Sequence, residues 1–316
     1  MARLILTRFG LAFVSLVAVS IIIFWCIEWL PGDAASRTLG RDATAESLAV
    51  LRVKLHLELP AWQRYLQWLF GMLHGDLGMS LVADRPALGY VWGRAINTLI
   101  LTAVVLAIYV PLSIGLGLWT AVYRGRAVDH AVSILIIFGM CVPEYVVGIA
   151  LTMIFALLLP WFPPLALIDQ AHGFFEVIHM LFLPAITLAA AMTAYAVRLM
   201  RESLIDVLES GYVQMARLKG LPSWRILWFH ALPNALGPAL NVTALNIAWL
   251  MGGIVVVESV FNFPGLGRLL VESISLKDYP VIQAAALLLA GVYILCNFAA
   301  DIVSILLNPR LRAQFR

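Results

Sequence analysis

The stretch 216-ARLKGLPSWRILWFHALPNAL-236 decides how the chain is interpreted, because it is basic and interrupted yet lies between two long apolar segments. Its glycine and prolines are residues that end or bend helices. The basic residues are Arg217, Lys219 and Arg225, and the interrupting residues are Gly220, Pro222 and Pro233. The stretch must therefore be explained together with the apolar segments around it.

The composition excludes a soluble domain. Of 316 residues, 62% are hydrophobic and 12% are charged, whereas soluble domains are about 25% charged. Several apolar runs reach the ~20 residues that cross a hydrocarbon core, and backbone in lipid must satisfy its own hydrogen bonds. We therefore predict an all-α polytopic membrane protein. A net charge of +3 is too small to indicate nucleic-acid binding.

Hydropathy predicts six transmembrane helices, at residues 9–30, 97–122, 131–159, 177–200, 237–260 and 281–307. The first is an uncleaved span, because its apolar region exceeds the ~7–15 residues of a signal peptide. The chain then divides into residues 1–30, a polar segment 31–96, a core 97–307 containing the loop 201–236, and a tail 308–316. The polar segment is predicted to hold two short helices, Glu46–Leu57 and Ala61–Leu73, split by Pro60.

The distribution of basic residues orients these spans. One side receives most of the Lys and Arg outside the long polar segment, which places that side in the cytoplasm. Those residues are Arg3, Arg8, Arg124, Arg126, Arg198, Arg201, Arg217, Lys219, Arg225, Arg310, Arg312 and Arg316. Both termini and the loop 201–236 are predicted to be cytoplasmic, and the segment 31–96 extracytoplasmic.

Local signals predict a helix–turn–helix hairpin within the loop. Tyr212–Lys219 forms the first helix, and Gly220 supplies the left-handed residue that ends it. Ser223 is predicted to cap a second helix that runs from Trp224 to about Leu232, before Pro233. The first helix presents one face made of Tyr212, Met215, Ala216 and Lys219. Trp224, Leu227 and Trp228 are expected to anchor the hairpin to the spans.

Residue chemistry alone leaves two interpretations of this hairpin open. Its small and apolar tip suits insertion into a groove on a partner protein. Its basic and tryptophan residues equally suit an amphipathic helix lying at a membrane surface.

The quoted stretch resembles the cytoplasmic loop, called the EAA loop, of binding-protein-dependent ABC importer permeases, in the version of the dipeptide/oligopeptide/nickel family. It departs at Gln214-Met215-Ala216, where the family often has an acidic or small residue followed by two alanines. Further matches follow the family's order along the chain: Pro31-Gly32-Asp33, Val142-Pro143-Glu144-Tyr145, Glu258–Gly267, Asp278-Tyr279-Pro280-Val281 and Asn308-Pro309-Arg310.

The resemblance implies the type I importer permease (MetI-like) fold and the role of the first (B-type) permease subunit in a bacterial inner membrane. Such a subunit pairs with a second homologous permease, usually as a heterodimer. Together they form a pathway that works by alternating access. Two ATPase subunits hold ATP and Mg²⁺ and dock on the cytoplasmic loops, and a solute-binding protein delivers cargo. This chain has no G-x-x-x-x-G-K-[ST] phosphate loop, so it is expected to be a transporter subunit, not an enzyme, with no cofactor of its own.

The resemblance and the residue chemistry together give the candidate sites. The ATPase-coupling residues are Tyr212, Met215, Ala216, Arg217, Lys219, Gly220, Leu221, Trp224 and Arg225. The pathway or gate residues are Pro143, Glu144, Phe261, Phe263 and Pro264. No metal site is expected.

Each pathway assignment has an alternative. Glu144 either meets a cationic cargo in the pathway or turns toward water or a neighbouring helix. The aromatics of Phe261–Leu270 either gate the pore mouth or anchor a turn at the interface. The segment 31–96 either receives the binding protein or caps the partner permease. Small-residue spacings such as Gly115-x-Gly117 predict close helix packing.

The preferred cargo is a dipeptide or oligopeptide. Chelated nickel, glutathione or another small solute remains an alternative, because permease sequence specifies cargo weakly. A different class, an autonomous secondary transporter or channel, is disfavoured because neither inverted repeats nor broken-helix ion sites are recognisable. An intramembrane enzyme would need a nucleophile or metal constellation in the spans, which is also not recognised.

Overall fold

The computed structural model describes residues 2–29, 35, 44–54 and 57–307. It describes only the backbone, and not the side chains, of some helical residues: 2–5, 51, 54, 238–242, 244, 248, 252, 299–301 and 303–307. The matches at Pro31-Gly32-Asp33 and Asn308-Pro309-Arg310, and the predicted tail 308–316, lie outside the described residues.

The described residues are almost entirely helical and contain no strand, apart from one isolated bridge between Met79 and Pro86. In chain order the helices are α1 Ala2–Glu28, α2 Ala45–Lys54, α3 Ala61–Leu73, α4 Ala87–Val122, α5 Ala127–Cys141, α6 Glu144–Thr152, α7 Phe174–Leu208, α8 Gly211–Leu218, α9 Ser223–Arg225, α10 Leu232–Val260, α11 Leu266–Leu276 and α12 Tyr279–Leu307. Two π-helical turns, Met153–Leu158 and Ile226–Ala231, continue α6 and α9.

Four helices are long and apolar enough to cross a membrane, and α5 with α6 and its π-helical turn forms a fifth, bent candidate. These five correspond to the predicted spans at 9–30, 97–122, 131–159, 177–200 and 281–307. The remaining predicted span, 237–260, falls on the 29-residue helix α10. The all-α polytopic class is confirmed, and the count of six spans stays a prediction.

The third predicted span is not one helix. α5 ends at Cys141, α6 begins at Glu144, and the two helix axes differ by 106°. Pro143 causes the break, because it disfavours helical backbone at the residue before it and lacks an N–H of its own. Val142 is accordingly extended, with φ −89° and ψ 125°. The predicted span 131–159 is thus a broken helix, and the expectation that the chain has no broken-helix ion site stays a prediction.

The chain forms two compact units, which divide it differently from the segments predicted by sequence. One unit contains Ile100–Phe263 with the described parts of 1–7 and 296–316, and the other contains Arg8–Leu99 and Pro264–Leu295. The described part of the segment 31–96 thus belongs to the same unit as most of α1, α11 and the first half of α12, and the division of the chain predicted from the sequence stays a prediction.

In the first unit α7 is the central helix. Its buried side chains include many small residues, and α10, α5 and α6 pack around it. Gly117 of α4 shows how closely a neighbour approaches, because a Cβ there would lie 2.6 Å from Cγ of Met200. The close packing predicted at Gly117 is confirmed. At Gly115 no close packing is found among the described residues, because a Cβ there would meet nothing within 4 Å, and the packing there stays a prediction.

In the second unit the polar segment is fixed by hydrogen bonds and an ion pair. Oδ2 of Asp278 accepts a hydrogen bond from Ser80 Oγ, and Oδ1 accepts one from the Leu81 N–H at 3.1 Å. Arg64 of α3 pairs with Glu28 at the end of α1. A hydrophobic cluster joins the start of α4 to α11 and α12; it includes Val91, Leu269 and Val281.

Candidate functional site

The first arm of the hairpin is α8, and its end has the predicted backbone geometry. Gly220 has φ +75°, so the left-handed conformation predicted there is confirmed. The Gly220 N–H donates to the Arg217 carbonyl at 2.9 Å, and the Leu221 N–H donates to the Ala216 carbonyl at 3.2 Å. These two bonds are those of a Schellman motif, which satisfies carbonyls at the tip and fixes the direction of the reversal.

The second arm differs from its prediction in two respects. Ser223 is not a capping residue, because the N-cap position is Pro222 and no side-chain cap bond forms. Pro233 does not end the arm either, because α9 continues through the π-helical turn Ile226–Ala231 directly into α10. Pro233 lies in the first turn of α10, where proline is tolerated, and the π-helical turn just before it is the irregularity that accommodates its missing N–H. The second arm is thus the start of a long helix.

A small apolar cluster joins the two arms. It consists of Val213, Ala216 and Ile226, all buried, with Leu221 packed beside them. Ala216 is only 6% exposed, so the prediction that it shares an exposed face with Tyr212 and Met215 is wrong. Its small side chain instead lets α8 approach the second arm.

The prediction of the anchor residues is confirmed only for Leu227, which packs against a buried cluster that includes Ala121 of α4 and Leu204 of α7. Trp224 and Trp228 are more than half exposed. Ile226, which the sequence analysis did not single out, is the buried contact of the second arm. In addition, the Tyr212 hydroxyl donates to the His230 carbonyl at 3.3 Å and links the two arms.

The outer face of α8 is apolar at its tip and basic around it. Tyr212 and Met215 are exposed as predicted, and Leu218 is 82% exposed. Leu218 lies three residues after Met215, on the same face. Leu218 was not among the residues predicted to form this face, although its i, i+3 spacing from Met215 could have identified it. Exposed basic residues surround this face: Arg217, Lys219 and Arg225.

The base of the hairpin borders a cavity of about 450 Å³. Its lining combines apolar residues of α4 and α7 with charged side chains, and Arg124 pairs there with Glu209. Nearby, Arg201 of α7 donates two hydrogen bonds of 2.8 Å to the two carboxylate oxygens of the buried Asp129. The first pair holds the loop between α4 and α5, and the second holds the first turn of α5, against the C-terminal part of α7, from which the hairpin departs.

The aromatic residues of the predicted gate lie in the interior of the first unit. Phe261 and Phe263 are fully buried, and their role as a gate or as an interfacial anchor stays a prediction. The Phe261 ring packs where Gly148 has no side chain, since a Cβ there would lie 3.2 Å from the ring. The Phe261 carbonyl also accepts a hydrogen bond from Ala166 N–H at 2.9 Å. Pro264 is buried as well, and its carbonyl accepts a hydrogen bond from Asn97.

Pro143 and Glu144 lie at the break between α5 and α6. Pro143 is the N-cap residue of α6, and Glu144 is the first helical residue. Both line a cavity of about 580 Å³ in the first unit. Gly148, against which the Phe261 ring packs, lies one turn further along α6 than Glu144.

Comparison with known proteins agrees with the features above. Residues 113–313 match the family described as binding-protein-dependent transport system inner membrane component, and residues 1–114 match the family of the corresponding N-terminal region. The chain is similar to the glutathione transport system permease protein GsiC. It is 35% identical to that of Escherichia coli O6:H1, 34% to that of strain K12 and 35% to that of Salmonella choleraesuis, each over 94% of this chain and 95% of the relative.

Proposed function

The chain belongs to the family of binding-protein-dependent transport system inner membrane components and is a permease subunit of an ABC importer; on that premise, we propose that it imports small peptides. Its hairpin couples the pathway to ATP hydrolysis on partner subunits. The family implies ATPase and binding-protein partners. A second, homologous permease as the other half of the pathway is part of this proposal.

The exposed tip of α8 is the observation that supports the coupling role. Met215 and Leu218 present apolar surface that nothing within the described residues covers, and apolar helix faces of this kind insert into grooves on partners. Arg217 and Lys219 beside them can pair with carboxylates of an ATPase subunit. The cluster of Val213, Ala216 and Ile226 makes the hairpin one body, continuous with α10, so that a push on the tip moves the helix.

Small peptides are the cargo that the comparisons favour. The relatives are named glutathione permeases, and glutathione is itself a small peptide. Glutathione is therefore the second candidate beside dipeptides and oligopeptides, whereas a nickel chelate has no such support here. The bacterial inner membrane, with both termini and the hairpin in the cytoplasm, is the location we propose.

A reconstituted complex tests this proposal. Proteoliposomes containing this chain, the second permease and the ATPase subunits, supplied with the cognate binding protein, are expected to take up radiolabelled L-alanyl-L-alanine or glutathione only with ATP. Leu218→Asp places a charge on the apolar tip and is expected to lower co-purification of the ATPase subunits about ten-fold or more. Leu218→Met keeps the apolar contact and serves as the control. Normal ATPase retention by Leu218→Asp would refute the docking role.

A further inference from the structure

The break between α5 and α6 places a carboxylate in an aromatic cavity. Glu144 lines this cavity together with three aromatic side chains, Tyr145, Tyr195 and Trp249, which come from α6, α7 and α10. Each of these rings is about half exposed. The volume, about 580 Å³, lies within the roughly 300–1,000 Å³ of small-molecule sites. The cavity is therefore large enough for a small organic ligand.

The Glu144 carboxyl group lies against α10, and one of its oxygens, the buried Oε2 atom, has no hydrogen-bond partner among the described residues. A Cβ on Gly253 of α10 would lie 2.8 Å from Oε2 and 2.9 Å from Oε1, so only glycine leaves room for the carboxylate there. A carboxylate between apolar helices is costly without a cation. The site therefore fits a positive charge supplied from outside the chain.

The surrounding side chains favour an organic cation over a metal ion. A hard metal ion such as Ca²⁺ takes six or more oxygen ligands, and the described residues contain no group of three His, Cys, Asp or Glu that could hold one. Aromatic faces attract ammonium groups through their quadrupole. Irregular backbone at membrane depth is also tolerated where it lines a cavity, as it does at Val142 and Pro143.

We propose that Glu144, with the aromatic faces of Tyr195 and Trp249, binds the primary ammonium group of peptide cargo during its passage through the permease. This inference rests on the proposed function, because both dipeptides and glutathione carry a free ammonium group. Glu144 supplies the charge, the rings exclude water from the ammonium group, and Gly253 positions the carboxylate. The site gives the permease a selectivity for free amines of its own, in addition to that of the binding protein.

The test uses the reconstituted complex with L-alanyl-L-alanine as probe. Glu144→Gln keeps the shape of the side chain and removes its charge, and uptake is expected to fall about ten-fold or more, as for loss of one charge-assisted hydrogen bond. Glu144→Asp keeps the charge and is expected to restore part of the uptake. ATPase activity stimulated by the binding protein is expected to persist in Glu144→Gln, because the hairpin is unchanged.

One further test variant and two control variants separate charge binding from general damage. Gly253→Ala displaces the carboxylate and is expected to lower uptake as Glu144→Gln does, whereas Gly115→Ala has open space for its methyl group and is expected to behave as wild type. Glu176→Gln removes a carboxylate that accepts a hydrogen bond from His172 N–H outside the cavity. It is expected to leave uptake unchanged.

Three outcomes would overturn the inference. Uptake by Glu144→Gln at the wild-type rate would show that the carboxylate does not bind cargo. Loss of the second permease from the purified Glu144→Gln complex would identify the cavity as a subunit interface. A wild-type complex that imports neither L-alanyl-L-alanine nor glutathione would refute the proposed function itself, and this result is recognisable without any variant.

Discussion

Two small residues of the hairpin, Gly220 and Ala216, are required for different physical reasons. Gly220 is needed for its backbone, since φ +75° is a conformation in which other L-residues, except Asn and Asp, are strained. Space is not the constraint, because a Cβ at Gly220 would meet nothing within 4 Å. Ala216 is the reverse case, a small side chain buried against Ile226. Backbone and side-chain requirements therefore alternate along this short segment.

Two substitutions at Gly220 distinguish backbone strain from charge. Asn and Asp have the same shape and tolerate left-handed backbone similarly, so only charge differs between Gly220→Asn and Gly220→Asp. In the proposed docking, Arg217 and Lys219 pair with carboxylates of the ATPase subunit. A new carboxylate at position 220 would lie close to those ATPase carboxylates and repel them. We expect Gly220→Asp to insert normally but to lower the ratio of uptake to ATP hydrolysis, and Gly220→Asn to keep it. Equal ratios for the two variants would contradict the docking geometry.

At the level of helices, two features determine how the first unit is built: the close approach of α4 to α7, and the break between α5 and α6. The α4–α7 contact depends on Gly117, against which the Met200 side chain packs. The α5–α6 break depends on Pro143 and opens the cavity that contains Glu144. Hydropathy predicts one span at 131–159 because it is an average over the residues of a window. It contains no information on the direction of the helix axis. A 106° change of direction leaves that average unaltered.

Gly115 and Gly117 of α4 make a matched pair for testing helix packing. Gly117→Ala would place Cβ 2.6 Å from Cγ and 2.7 Å from Cβ of Met200. Such overpacking is expected to destabilise the protein by about 1–3 kcal/mol. Gly115→Ala, with nothing within 4 Å, adds helix propensity without a clash. Thermal unfolding of the purified protein in detergent is the measurement, and a lower midpoint for Gly115→Ala than for Gly117→Ala would contradict the assigned contact.

At the level of the whole molecule, the side of the membrane that each segment faces rests on the charge distribution. The positive-inside rule assigns the hairpin to the cytoplasm and the segment 31–96 to the opposite side. Each of these two regions contains an exposed apolar residue that can be replaced by a cysteine for labelling, Leu218 on α8 and Val50 on α2. Because both side chains are exposed, a difference in their labelling measures sidedness and not burial.

Cysteine labelling in intact cells tests the orientation. In a background lacking Cys26, Cys141 and Cys296, we expect Val50→Cys to react with a membrane-impermeant maleimide and Leu218→Cys to react only after the membrane is opened. Both single-cysteine proteins must first be shown to react after solubilisation in detergent. Labelling of Leu218→Cys in unopened cells would reverse the proposed orientation and would exclude docking to cytoplasmic ATPase subunits.

The sequence could predict the helical class, most span positions and the tip of the hairpin, because these depend on local quantities. Hydropathy, glycine conformation and helix periodicity are properties of neighbouring residues. It could not predict that Pro233 lies inside a continuous helix, because proline is compatible both with the end of one helix and with the first turn of the next. It also missed Leu218, because the predicted face was centred on Ala216, which tertiary packing buries.

By itself, the amino-acid sequence determined that the chain is an α-helical membrane protein with a basic, left-handed turn at Gly220, and its motifs indicated the importer family. Only the tertiary structure decided which side chains of the hairpin are exposed, that Phe261 and Phe263 are interior, and that Glu144 lies against Gly253 with its Oε2 atom lacking a hydrogen-bond partner among the described residues. The physical reason is that burial and pairing depend on residues distant in the chain. Glu144 and Gly253 are 109 positions apart and meet only because α6 and α10 pack together.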